Sequence, residues 1–281
     1  MLLSSYGESY MLKIIDAHLH FVSEPYFDQI ARAAGHENSE QHLHREYARL
    51  GIVHGIVMGN HSLLNERAAY PEKLSYCVGI DTMGNTTAAI SELAKSAAQH
   101  LQRPDCVGIK LYPGYHHFYV YDHMLEPLYA LAAQYGKPVA VHTGLTASRD
   151  AVLKYSHPLT LDEAAATHPD VQFVMCHIGN PWLNDAVAVL EKNHNVSADL
   201  SGLLEGYIED MSDFCRRKHR YINMMAGWFE YLEAYDRLMF GTDWPLANLE
   251  NYIAFTKAII PPAHWENVFF SNANRIYQLG L

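Results

Sequence analysis

Cysteine is scarce. The 281 residues hold four, Cys77, Cys106, Cys176 and Cys215, and none forms a CxxC pair. A disulfide scaffold is excluded, and a reduced, cytoplasmic protein is the expectation. Positive charge is also short: 20 Lys and Arg stand against 31 Asp and Glu, a net charge of −11. That balance gives no attraction to nucleic acid or to an anionic membrane. It leaves room for an anionic ligand in a locally basic or metal-lined cleft. No apolar run approaches the ~20 residues of a membrane span. The opening MLLSSYGESYMLK lacks a basic stretch followed by an apolar one, so no secretory signal is expected there. There is no GxGxxG or P-loop, the usual mark of a nucleotide-binding open sheet. Linkers and low-complexity stretches are missing too. The expected organisation is an N-terminal extension, 1–11, and one domain over 12–281.

What is present is apolar and periodic. The chain is 49% hydrophobic and 18% charged, enough to bury a large core. Eight short runs read as strands: 12–17 (LKIIDA), 52–58 (IVHGIVM), 74–80 (LSYCVGI), 106–112 (CVGIKLY), 138–143 (PVAVHT), 171–178 (VQFVMCHI), 196–201 (VSADLS) and 238–243 (LMFGTD). Several are apolar throughout, as strands covered on both faces are. Helices are predicted over 85–102, 122–135, 161–167 (with T-L-D-E from Thr160 as a capping box), 181–192, 213–235, 249–259 and 272–279. Strand and helix alternate at about the 30 residues of a βα unit. Eight such units in one chain make an α/β fold of the TIM-like (β/α)8 type. The longest connections, 21–50 and 202–237, are the expected lids or dimer surfaces.

Histidine is abundant, at 18 residues. In a barrel, reactive groups gather at the C-terminal ends of strands. Strand one ends D-A-H-L-H, and His18 and His20, two apart, share a face. Lys110 stands in G-I-K-L-Y-P on strand four, His142 in V-H-T-G on strand five, His177 in C-H-I-G on strand six and Asp243 in G-T-D-W-P on strand eight. A lone HxH says little, and a lone strand histidine is usually a core residue. Six groups of metal-binding or proton-moving type at one end of one barrel point to a metal site. Asp16 is read as facing the same side, deeper, and Asp199 as an orienting or core group.

This set, with the phrases I-I-D-A-H-L-H-F, P-V-A-V-H-T-G, G-T-D-W-P and the terminal N-A-N-R-I-Y-Q-L, resembles the amidohydrolase superfamily. It looks most like the amidohydrolase-related branch, which holds metal-dependent hydrolases, lactonases and decarboxylases. The resemblance runs from about Leu12 to the end. It implies a metal-dependent enzyme whose ligands come from His18, His20, His142, His177, Lys110 and Asp243. Imidazole and carboxylate donors suit Zn²⁺, with Mn²⁺ or Fe²⁺ as alternatives. Such an ion would acidify a bound water, and Asp243 could take its proton. His177 would bind metal or polarise a substrate carbonyl. In two-metal members the strand-four lysine is carboxylated and bridges the ions. The preferred arrangement here is one ion, with Lys110 as an ammonium that binds a substrate carboxylate.

Substrate contacts are expected from Tyr112, Tyr115 and His116 after strand four, Arg149 after strand five, Asn180 after strand six and Trp244 after strand eight. They suit a small, flat or carboxylated substrate. The leading function is hydrolysis of a small amide, ester or lactone by metal-activated water. Non-oxidative decarboxylation of a small aromatic or unsaturated acid is the alternative. A barrel kept as a binding module would have lost ligands, and every expected position is filled. The expected partner is a small molecule; a homodimer stays open.

Overall fold

The computed structural model describes residues 12–60, 70–80 and 87–281. The expected extension 1–11 and residues 85–86 of the first expected helix lie outside them. The strands are β1 (Ile14–Leu19), β2 (Ile52–Met58), β3 (Leu74–Gly79), β4 (Cys106–Leu111), β5 (Val139–Val141), β6 (Phe173–Met175), β7 (Val196–Asp199) and β8 (Leu238–Met239). The helices among the described residues are α1 (Pro25–Ala33), α2 (Glu40–Leu50), α3 (Thr87–Leu101), α4 (Glu126–Tyr135), α5 (Thr160–Thr167), α6 (Leu183–Lys192), α7 (Met211–Arg217), α8 (His219–Leu232), α9 (Leu249–Ile259) and α10 (Asn272–Ile276).

All strand pairs are parallel, in the order β1 to β8. The seam between β8 and β1 is carried by backbone bonds that run past the end of β8. Ala17 N donates to Phe240 O (2.9 Å), Asp243 N to His18 O (2.8 Å) and His20 N to Trp244 O (2.7 Å). The result is a TIM-like (β/α)8 barrel.

Side-chain alternation sorts the core into two layers. Ile15, Ala17, Met58, Cys77, Val107, Ala140, Val174 and Met239 pack together inside the barrel. A larger layer, with Leu43, Tyr47, Ile90, Leu128, Val187 and Phe255, lies between strands and helices. Apolar-throughout strands arise because both of their faces are covered.

Several boundaries differ from the sequence reading. β1 lies two residues later, so His18 falls within it. β5, β6 and β8 stop early, because the segments beyond them turn into loops that carry the site. Residues 213–235 form two helices that meet at Lys218, not one. The connection 21–50 is not an open lid: it holds α1 and α2, which bury Phe27, Ala31, Leu43 and Tyr47. α5 forms as expected, but Thr160 is its first residue and not its cap. The Thr160 hydroxyl donates to His157 O at 2.8 Å, in the turn before the helix. Asp16 does not share the face of His18. Its carboxylate takes hydrogen bonds from Tyr47 of α2 (3.2 Å) and the Thr242 hydroxyl (2.6 Å). A register irregularity between Asp16 and Leu19 breaks the alternation.

Candidate metal centre

Each β-strand end delivers its chemical group by a different local device. His18 is in β1 and His20 follows it. Lys110 is the next-to-last residue of β4, and His142 directly follows β5. His177 sits in a tight turn after β6 at φ +60°, and Asp243 sits beyond β8 at φ +57°. Those left-handed conformations bend the chain so that both side chains turn back toward the barrel axis. They are uncommon for residues with a Cβ and mark positions fixed by their surroundings.

The structure brings His18, His20 and Asp243 together, with one ligand atom from each inside 4.8 Å of the others. His20 Nε2 is 3.1 Å from Asp243 Oδ1, and His18 Nε2 is 3.6 Å from the same oxygen. His18 Nε2 and Asp243 Oδ1 are buried and have no hydrogen-bond partner among the described residues. A buried polar atom left unpaired is costly. Two of them aimed at one point fit a cation. Burial would raise the Asp243 carboxyl, but the nearby imidazoles of His20, His177 and His18 outweigh it and hold it well below the usual carboxylate range. Burial lowers the imidazoles: His18 and His142 fall below the ordinary histidine value, and His177 falls to about 4. Neutral imidazole is the form that binds metal.

The remaining two histidines stand close by. The His177 ring centroid is 4.7 Å from that of His18 and 4.9 Å from that of His142. His142 Nε2 is 3.1 Å from Leu145 O, so the nitrogen it leaves free is Nδ1.

The other ring nitrogens are held from behind. His18 Nδ1 meets Asp199 Oδ2 at 2.9 Å, and His20 Nδ1 meets Asn60 Oδ1 at 2.6 Å. Such partners fix ring orientation in metal sites. His18, Cys176 and Asp199 also cluster within ligand distance of one another. That group is already satisfied. Asp199 Oδ1 accepts from His177 N, Ser201 N and the Ser201 hydroxyl, and burial raises the Cys176 thiol above its usual value.

Lys110 is fully buried. Its Nζ lies 2.8 Å from Cys176 Sγ and 5.0 Å from the Tyr112 ring centroid. No carboxylate among the described residues lies within ion-pair distance of it. Its charge therefore faces the cavity without a fixed counter-ion.

The cavity over these groups encloses about 1100 Å³. Tyr112, Tyr115, His116 and Asn180 line it, as the sequence reading expects. The Tyr115 oxygen accepts the Ala147 N–H at 2.8 Å, which leaves its own proton to donate. Two expectations are corrected. Trp244 is fully buried, lies outside the cavity lining and packs against the rings of His36 and His42. Arg149 is exposed and also outside the lining, because six residues of loop separate it from His142 and carry it to the surface. It makes no ion pair with Asp150 or Asp162, and Asp162 is held by Lys192 at 2.7 Å.

Sequence reasoning missed Asn60, Ser201, Tyr26, Phe27, Glu205 and Lys218. Asn60 and Ser201 each follow a strand end by two residues, the one available signal. The lining residues come from α1 and from the 202–237 connection, where nothing local marks them.

Among the described residues, no helix is long and apolar enough to cross a membrane. A family model described as amidohydrolase matches residues 15–279. No curated protein matches the sequence. An uncharacterized TIM-barrel protein from Bordetella bronchiseptica superposes with a TM-score of 0.71 at 23% identity, over 96% of this chain and 100% of that one. A probable 2-pyrone-4,6-dicarboxylic acid hydrolase from Acinetobacter baumannii, with citric acid bound, gives 0.61 at 17%, over 95% and 100%. A 5-carboxyvanillate decarboxylase from Novosphingobium aromaticivorans, complexed with manganese and 4-hydroxy-3-methoxy-5-nitrobenzoic acid, gives 0.62 at 13%, over 97% and 98%. At these identities the likenesses establish a shared fold.

Proposed function

The chain belongs to the amidohydrolase family, and from that premise we propose that it is a metal-dependent hydrolase of a small ester, lactone or amide. The observation that carries the reading is the pair of unpartnered buried atoms, His18 Nε2 and Asp243 Oδ1, converging beside His20. We assign the metal to His18, His20 and Asp243, with His142 Nδ1 or His177 completing the set. Zn²⁺ is the preferred ion, and the nitrogen and oxygen donors also match Mn²⁺ and Fe²⁺. A divalent ion there would supply a Lewis acid and lower the pKa of water toward neutrality.

The chain's own groups would do the rest. Asp243 can hold a transferred proton at Oδ2, the oxygen turned away from His20. Lys110 can bind a substrate carboxylate at the deep end of the cavity. Tyr115 can donate its hydroxyl proton to a substrate oxygen. Tyr112, His116, Phe27 and Leu203 would wall in a flat molecule and keep water from it. We take Lys110 as a plain ammonium beside Cys176 and Tyr112, hence one ion.

Lys110 also supports a second reading, decarboxylation of a small aromatic or unsaturated acid, since an ammonium facing a buried cavity suits any carboxylate. The test starts with metal content by plasma mass spectrometry on protein purified without chelator or nickel. The loaded protein is then assayed on ester, lactone and amide panels and on aromatic acids. About one ion per chain and hydrolytic product support the leading reading. Carbon dioxide release without hydrolysis supports the second, and a chain that retains no ion and turns over nothing overturns both.

A further inference from the structure

Gly202, just after β7, has φ +66°, and a Cβ added there would stand 2.7 Å from Nδ1 of His177. The fold keeps the space beside that nitrogen open. Within hydrogen-bond distance it meets Ser201, whose buried Oγ lies 2.8 Å from His177 Nδ1, while Asp243 Oδ2 stands farther off at 3.9 Å.

The position of the proton follows by elimination. Asp199 Oδ1 receives two backbone N–H groups, from His177 (3.0 Å) and Ser201 (3.1 Å), and these can only donate. It is therefore an acceptor. Ser201 Oγ lies 2.5 Å from that oxygen, so the single hydroxyl proton is directed to Asp199. Toward His177 the hydroxyl has only lone pairs left. Nδ1 of His177 must carry the ring N–H, and Nε2 must be bare.

We propose that Asp199 and Ser201 are positioning residues that hold His177 as an Nδ1–H tautomer with a bare Nε2. The second oxygen of Asp199 does the same for His18 directly, at 2.9 Å from its Nδ1. One carboxylate, on β7, thus sets the acceptor state of two imidazoles, one from β1 and one from the turn after β6. His177 in this state takes a metal or a proton. It has no proton to offer a substrate carbonyl, which removes the polarising role left open by the sequence. The use of that acceptor in catalysis rests on the metal-dependent reading above; the tautomer itself does not.

The test is long-range ¹H–¹⁵N correlation of the histidine rings in ¹⁵N-labelled, metal-free protein at pH 7.5, with His177 assigned by its loss in His177→Gln. The expected wild-type spectrum shows a protonated Nδ1 and an unprotonated Nε2 for His177. In Ser201→Ala the acceptor is gone and the Nε2–H form should appear, while Ser201→Thr should restore the wild-type pattern. Zinc affinity, read by chelator competition, should fall by about 10- to 100-fold in Ser201→Ala and recover in Ser201→Thr. An Nε2–H tautomer in the wild type overturns the proposal. So does a Ser201→Ala variant whose His177 pattern is unchanged. If Ser201→Ala does not fold, the wild-type and Ser201→Thr spectra still decide it. A protein that binds no zinc but shows the expected tautomer removes the metal reading and leaves this one standing.

Discussion

Lys110 is a buried basic residue with no carboxylate partner among the described residues. Its Nζ donates to the Cys176 thiol and lies over the Tyr112 ring. An ammonium in that setting opposes folding, because desolvation is not repaid by a carboxylate. A residue kept at such a cost belongs to function rather than to stability. Lys110→Met is close in length and removes the charge. In metal-free protein we expect it to hold or raise stability, by about 1–3 kcal/mol, in urea titration. On any carboxylate-bearing substrate the same variant should raise KM about 10- to 100-fold, the worth of a charged hydrogen bond. A loss of stability in the metal-free variant would show that the ammonium has a structural partner.

At the scale of elements, the loops after β5 and β6 are locked together. Gly144 has φ +89°, and a Cβ there would stand 2.4 Å from the backbone oxygen of Asn180. Leu145 N donates to that same oxygen at 3.0 Å. Gly144→Ala should therefore cost about 1–3 kcal/mol from the backbone conformation, with the clash adding to it. Urea titration reads the loss, and activity should fall with it, because His142 lies two residues away. Elements and site differ in how far the sequence displays them. The strand positions are legible, since burial on both faces leaves runs such as IVHGIVM and CVGIKL with few readings other than strand. The strand ends are not, because His177 and Asp243 occupy left-handed turns that no local pattern announces. α1 and α2 are hidden for another reason. EQHLHREYARL is rich in charge and histidine, and three residues, His42, Leu43 and Tyr47, face inward. The six chemical residues stand out because His, Lys and Asp are rare in buried strands. Their partners Ser201 and Asn60 do not, since serine and asparagine are common wherever a strand meets a loop. Arg149 shows the converse: nearness in sequence to a strand end says nothing about where a loop points.

At the scale of the whole molecule, the candidate metal centre lies on the barrel's closing seam. β8 is two residues long, so most of the closure rests on bonds made by loop residues: Asp243 N to His18 O and His20 N to Trp244 O. The same three residues, His18, His20 and Asp243, hold the converging ligand atoms. An ion bound there would join the two ends of the sheet where closure is made by loop residues beyond β8. Metal should therefore stabilise the protein most at this seam. Saturation at a hundredfold excess of free ion over Kd is worth about 2.7 kcal/mol of global stability. Hydrogen exchange by mass spectrometry, in conditions where local opening dominates, should resolve the location. Adding zinc to metal-free protein should slow exchange most over residues 14–20 and 238–246. Protection over α3 and α4, across the barrel from the seam, should change less. Equal slowing everywhere would mean that the ion acts only through global stability. No slowing at the seam would place the ion elsewhere.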